Sequence, residues 1–174
     1  MKIKDLKPTD YHIYVDLDGV MADLEKKMLE VTGHQIQNKE NDRGNPEDDQ
    51  NWKKFHDEIA AGRPLFAEMD MMPDAQKLWD YIKKYKPHIL TATGKRNVLS
   101  VDKQKREWVQ EHLPEHNTVY TVTGSKNKAK FAWPDSVLID DRMKSIDPWR
   151  EKGGIGIHHT SAKETIAQLK KLGL

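Results

Sequence analysis

Two aspartates one residue apart close an apolar run, Tyr11-His12-Ile13-Tyr14-Val15-Asp16-Leu17-Asp18-Gly19-Val20. About 120 residues later a second apolar run, Val137-Leu138-Ile139, closes on Asp140-Asp141. Runs that stay apolar on consecutive positions are those of strands buried on both faces, as in a parallel sheet. Parallel strands of one sheet end on the same side, so adjacent placement brings four carboxylates to one spot. That much like charge is tolerated with a cation to offset it, or where a shifted pKa serves the chemistry. The paired endings therefore restrict the chain to a parallel α/β arrangement. They also direct attention to metal-assisted chemistry at the strand ends.

The rest of the chain has the matching rhythm. Strands are expected at Tyr11–Val15, His88–Thr91, Val119–Val122, Val137–Ile139 and Gly154–His158. Amphipathic stretches separate them. Ala75–Lys84 places Leu78, Trp79 and Ile82 on one face, and Lys103–Leu113 places Trp108, Val109 and Leu113 inward. Ser161–Leu172 opens with Ser161-Ala162-Lys163-Glu164, a capping box, and then buries Ile166, Leu169 and Leu172. Alternating strands and helices imply a Rossmann-like parallel sheet of about five strands sandwiched by helices. Ligands of such sheets bind outside the carboxyl ends of the strands.

One segment interrupts the alternation. Between the first strand and Ala75 lie two further helix candidates, Asp23–Val31 and Trp52–Ala61, flanking the polar stretch Gln35–Gln50. Its centre, Asn38–Asp49, has the composition of a flexible surface loop. The segment leaves directly after the Asp16/Asp18 turn, so it is expected to form a small helical cap inserted after strand 1. The expected division is a core of residues 1–23 and 70–174 with a cap of residues 24–69.

With 174 residues the chain is long enough to bury one real core. A net charge of +1 gives no global field for nucleic acid or a membrane surface. The absence of cysteine removes disulfides, thiolate metal sites and a Cys nucleophile. No apolar run reaches membrane-spanning length, and Met1–Asp5 is charged without an apolar stretch behind it, so no signal peptide is expected. A cytoplasmic protein is the expectation.

Asp16 and Asp18 would share one face of an extended strand, with Gly19 permitting a sharp turn after them. A carboxylate beside a divalent cation can attack phosphorus, and a second one two residues on can protonate the leaving oxygen and then activate water. Asp140 and Asp141 can supply a metal ligand and a residue that positions it. His88-Ile89-Leu90-Thr91-Ala92-Thr93-Gly94 ends a strand in hydroxyls and a glycine, where a hydroxyl and backbone N–H groups can hold phosphate oxygens. A lysine from Lys126-Asn127-Lys128-Ala129-Lys130 can oppose the metal across the phosphate. In the cap, Trp52 and Phe55 could stack on a base or belong to the core. Lys95, Arg96, Lys103, Lys105 and Arg106 could attract an anionic substrate, but read first as the wet face of a helix. His158-His159 lacks a third ligand for zinc, and no P-loop pattern is present.

In order along the chain these residues resemble the four motifs of haloacid-dehalogenase-type phosphatases. Asp16-Leu17-Asp18-Gly19-Val20-Met21-Ala22-Asp23, Arg63-Pro64-Leu65-Phe66, Met72-Pro73-Asp74-Ala75 and Leu138-Ile139-Asp140-Asp141-Arg142 resemble more closely the pyrimidine 5′(3′)-deoxyribonucleotidase branch and its short viral and bacterial relatives. The resemblance implies Mg²⁺ and a two-step hydrolysis. Asp16 would be the nucleophile and Asp18 the general acid/base. Asp16, the main-chain carbonyl of Asp18, and Asp140 would bind the metal, with Asp141 in support. Thr91, Ala92 and one lysine would bind phosphate. Lys128 fits the Lys-x-x-Phe/Tyr-Ala-x-Pro form of the short relatives and is preferred, while Lys130, ten residues before Asp140, has the spacing of the deoxyribonucleotidases. Thr91-Ala92-Thr93-Gly94 departs from the Thr-Ser-Pro type of that branch.

The implied substrate is a small phosphomonoester, foremost a nucleoside monophosphate, with no nucleic-acid or membrane partner. A sugar phosphate, another small phosphomonoester or a nucleic-acid 3′-phosphate would use the same chemistry. A phosphate-binding or signalling module without turnover is the rival of another class. Receiver domains also gather acids, a Thr and a Lys around Mg²⁺, but they carry the paired acids on the first strand and lack a carboxylate in the role of Asp18.

Overall fold

The computed structural model describes residues 7–38, Glu40 and 45–174. Positions 39 and 41–44 of the expected Asn38–Asp49 loop, and the Met1–Asp5 start, lie outside the described residues. The strands are β1 (His12–Val15), β2 (His88–Ala92), β3 (Val119–Val122), β4 (Ser136–Asp140) and β5 (Ile155–His158). All pair in parallel, in the order β3-β2-β1-β4-β5. The helices are α1 (Leu24–Thr32), α2 (Pro46–Ala60), α3 (Ala75–Ile82), α4 (Val98–His112), α5 (Met143–Glu151) and α6 (Ala162–Lys171). A 3-10 segment, Ser125–Phe131, precedes β4.

Period two along the strands divides the interior into two layers. Ile13, Val15, Ile89, Val137, Ile139 and Ile157 belong to the larger core with Leu78 and Trp79 of α3, Trp108 of α4 and Leu169 of α6. Leu90 and Leu138 face the other way, into a smaller core with Ile146 and Trp149 of α5, against which Tyr14, Tyr120 and Phe131 pack. Met28 of α1 and Phe55 and Ile59 of α2 are continuous with the larger core.

Two helices begin earlier than their periodicity indicates. The second insertion helix, expected from Trp52, starts at Pro46. Asn45 caps it by accepting from the N–H groups of Glu47 and Asp48 at 3.0 and 3.3 Å. Proline suits the first helical position, and Glu47, Asp48 and Asp49 favour the positive end of the helix dipole. The polar composition there is thus partly that of a first helical turn. Asp48 also ties the preceding loop down. It meets His34 Nε2 at 2.5 Å and accepts from the N–H groups of Gln37 and Asn38. Burial pushes its pKa up, but the hydrogen bonds from His34, Gln37 and Asn38 outweigh burial and hold it below the usual range. The other early start is α4, at Val98 rather than Lys103.

Among the described residues no helix is long and apolar enough to cross a membrane.

Candidate active site

The chain departs from β1 in one direction to build β2 and β3, and returns to the other side for β4 and β5. β1 and β4 therefore flank the switch point, where a crevice opens at the carboxyl ends of the strands. Val15 is in register with Ile139, and the Asp16 N–H donates to the Ile139 carbonyl at 3.0 Å. This sets Asp16 beside Asp140. The chain then winds tightly: the Leu17 carbonyl accepts from the N–H groups of Val20, Met21 and Ala22. Gly19 sits at φ +79°, and a Cβ there would overlap the Asp141 carboxylate. Glycine is thus required both by backbone sterics and by the acid packed against it.

Two buried lysines divide the acids between them. Lys128 Nζ lies 2.8 Å from Asp16 Oδ1 and 2.6 Å from Asp140 Oδ2. Lys126 and Lys130 are exposed, so Lys128 is the lysine of its segment that reaches the acids. The second is Lys105 of α4, wholly buried, whose Nζ donates to Asp18 Oδ2 at 2.6 Å, to Thr91 Oγ1 at 3.0 Å and to the Ala92 carbonyl at 2.9 Å. Asp16, Asp18, Thr91, Ala92, Lys128, Asp140 and Asp141 are all brought to this one end of the sheet.

Lys105 is not on a wet face, contrary to the sequence expectation. Nor do Trp52 and Phe55, edge-on to each other at 5.9 Å, share one environment. Phe55 is fully buried, edge-on to Phe66, whereas half-buried Trp52 lines the crevice. The signal for Lys105 was present in its spacing. Val101, Gln104, Lys105, Trp108 and Val109 recur at the i, i+3, i+4, i+7, i+8 positions of one buried stripe.

Asp16, Asp140 and Asp141 could hold a metal: one oxygen from each falls within 4.8 Å of the others. The donors fit a hard divalent cation, being oxygens only. Among the described residues, buried Asp141 Oδ1 makes no hydrogen bond, and Asp16 Oδ1 is met by the Lys128 ammonium. Asp140 is engaged at both oxygens, by Lys128 and by the Arg142 N–H. The group thus includes Asp141, which the sequence had placed in support.

The charges press on one another. Burial, and then the charges of Asp16 and Asp140, push Asp141 up to about 8. Burial raises Asp140 to about 6 against the opposing pull of Lys128. Asp18 is raised by burial in spite of Lys105. Burial alone would lower Lys128, but the Asp140 and Asp16 carboxylates override it and hold the ammonium above its usual value. A folded-state carboxyl pKa above its unfolded value means that the folded chain retains a proton the unfolded chain has released. Stability is then present below the unfolded pKa and lost as pH rises through the folded one. Above pH about 7, where histidine is largely neutral in the unfolded chain, the remaining decline belongs to the raised carboxyls of this site, Asp141 among them. Urea midpoints of metal-free protein are expected to fall between pH about 7 and 8.5, and less steeply in Asp141→Asn. An equally steep decline in that variant would sink the assignment.

A crevice of about 710 Å³ covers these groups. Its floor includes Asp16, Asp18, Lys128 and Asp141. One wall comes from the turn after β2 (Thr93, Gly94, Lys95, Arg96), the other from Leu24, Ile36, Trp52 and His56 of the insertion. Burial, and then Arg96, lower the His56 pKa, favouring a neutral imidazole. Asn97, in the left-handed region at φ +51°, donates to the His56 carbonyl at 2.8 Å and so ties α2 to this turn.

Comparison with known proteins gives one family. The model of the family described as 5′ nucleotidase, deoxy (Pyrimidine), cytosolic type C protein matches residues 10–168. No curated protein matches the chain in sequence. Several solved structures share the fold. A HAD-superfamily hydrolase from Ehrlichia chaffeensis has a TM-score of 0.52 at 10% identity, covering 100% of both chains. A hydrolase from Streptococcus pneumoniae TIGR4 has a TM-score of 0.52 at 14% identity, covering 94% of this chain and 98% of its own. The L-2-haloacid dehalogenase from Xanthobacter autotrophicus has a TM-score of 0.51 at 10% identity, covering 83% and 75%.

Proposed function

Since the chain belongs to the family of cytosolic type C deoxy-pyrimidine 5′-nucleotidases, hydrolases of phosphoric monoesters, we propose that it is a Mg²⁺-dependent phosphomonoesterase acting through an aspartyl-phosphate, with a nucleoside monophosphate as substrate. The observation that carries this reading is the partition of the acids. Asp16, Asp140 and Asp141 form the cluster able to bind a cation. Asp18 stands outside it, held by its own lysine. Acids kept in different environments can take different roles.

Asp16 is the nucleophile. As its oxygen bonds to phosphorus, the ester P–O bond breaks. The Asp18 carboxyl gives its proton to the departing oxygen, releasing the alcohol. The Asp18 carboxylate then takes a proton from the water that attacks the phosphorus of the aspartyl-phosphate. Cleavage of that second P–O bond restores Asp16 and frees phosphate. Asp16, the Asp18 main-chain carbonyl and Asp140 would hold Mg²⁺, with Asp141 in reach. When bound, the ion offsets the charge of the acids and of the phosphoryl oxygens. Thr91, Ala92 and Lys128 face the phosphoryl group. Residues 24–69 act as a cap over the core of residues 1–23 and 70–174, with Trp52 and His56 turned to the substrate. The protein works in the cytoplasm, in keeping with the family's description.

Phosphate release tests this, measured over nucleoside monophosphates, sugar phosphates and a 3′-phosphorylated oligonucleotide, with Mg²⁺ and with EDTA. Mg²⁺-dependent release, fastest from a nucleoside monophosphate, is expected. Faster release from a sugar phosphate or the oligonucleotide would overturn the substrate. No release by folded, Mg²⁺-bound protein would overturn turnover itself and leave a binding role.

A further inference from the structure

Resting on the phosphomonoesterase reading, we propose that Lys105 is the positioning residue of the acid/base, holding the Asp18 carboxylate by one oxygen so that the other faces the reaction. An ammonium has three N–H donors and no acceptor. All three are committed here, to Asp18 Oδ2, Thr91 Oγ1 and the Ala92 carbonyl. No donor remains for a phosphate oxygen, so Lys105 acts on the reaction through Asp18 and not as a second phosphate ligand beside Lys128.

The surroundings fix the ammonium. Thr91 and Ala92 end β2, a neighbour of β1 in the sheet, so the Thr91 hydroxyl and the Ala92 carbonyl anchor the ammonium to one strand end and the third bond points at Asp18. The Phe66 ring centroid lies 4.8 Å from Nζ, a cation–π contact. Asp18 Oδ1 is buried yet makes no hydrogen bond among the described residues, while Asp18 lines the crevice. One oxygen is thus pinned and the other is open for proton transfer. When Asp18 gives its proton to the leaving oxygen, the carboxylate that forms is already in contact with a cation. The charge that develops is met by a partner needing no reorganisation.

Leaving groups separate this role from others. An alkoxide needs a proton as it departs, whereas a nitrophenolate leaves without one. The ratio kcat/KM reports steps up to the first irreversible departure and is unaffected by later hydrolysis of the aspartyl-phosphate. Lys105→Met and Lys105→Arg would be compared with wild type on a nucleoside monophosphate and on nitrophenyl phosphate. Lys105→Met is expected to lose about a hundredfold or more in kcat/KM on the nucleotide, the scale of a lost general acid, and less than about tenfold on the aryl ester. Lys105→Arg, which keeps charge and donors, is expected to recover part of the nucleotide loss. Equal losses on both esters, or a loss confined to KM, would overturn the proposal in favour of phosphate binding or plain packing. Should Lys105→Met misfold by circular dichroism, the leaving-group ratio of Lys105→Arg decides, and a ratio equal to wild type overturns it. Wild-type protein inert on both esters would instead strike at the phosphomonoesterase reading.

Discussion

Replacing Asp16 by Asn is expected to lower kcat/KM by about a thousandfold or more on every phosphate ester tested, since no other route to the covalent step remains. The variant keeps the shape of the side chain and loses its nucleophilic charge. The fold should survive. Lys128 retains Asp140 at 2.6 Å, so its buried ammonium is not stranded. Asp141 is also relieved of the neighbouring Asp16 charge that helps to raise its pKa. The thermal midpoint should lie within about 4 °C of wild type, a change of about 1–2 kcal/mol at this chain length. Activity and stability are thus predicted to separate. Retention of more than a tenth of the activity would put the nucleophile elsewhere.

Removal of the cation carries the second large effect. Without it, Asp16, Asp140 and Asp141 repel one another within a few ångströms, and Asp141 stays protonated up to about 8. A ligand that binds the folded chain alone at a hundredfold over its Kd adds about 2.7 kcal/mol. For a chain of this length that corresponds to a rise of about 5–10 °C in Tm when Mg²⁺ is added. Chelation should cost about a thousandfold in turnover, a few kcal/mol of charge stabilisation. Asp141→Asn should lose most of the Mg²⁺-dependent rise in Tm. Binding should tighten as pH climbs from about 6 to 8, because the Asp141 proton must leave before the oxygen can coordinate. A Tm indifferent to Mg²⁺ in wild type would refute a metal site built from these acids.

The sheet and its catalytic edge were legible because burial on two faces leaves an unmistakable trace. Val137-Leu138-Ile139 can be nothing but interior, and the acids that close it must sit at the strand end. The motifs at Asp16, Thr91 and Asp140 fall at the carboxyl ends of β1, β2 and β4, which are neighbours in the sheet, so the order of strands turned sequence positions into one site. Lys105 was hidden for the opposite reason. It lies in a helix of mixed charge, flanked by Lys103 and Arg106, where composition argues for solvent. Its stripe held the contrary information, but a lysine on a buried stripe declares itself only when its acceptors are known. Those acceptors come from Asp18 and from the end of β2, remote in sequence and adjacent in space. The early start of α2 was obscured likewise: Pro46 and three acids read as loop by composition, although they are the residues a helix start favours.

The face of α4 that carries Lys105 also bears on how such a protein can be recombined. Gln104 accepts from the Phe66 N–H at 2.9 Å and donates to the Arg63 carbonyl, while the Trp108 indole donates to the Met69 carbonyl at 2.7 Å. The final stretch of the insertion is thus stitched to a helix well downstream of it. A chimera that exchanges residues 24–69 alone would sever these stitches and leave Gln104 and the Trp108 indole facing a foreign backbone. An exchange that keeps these bonds runs on through His112, so that the segment travels with the helix to which its end is bound.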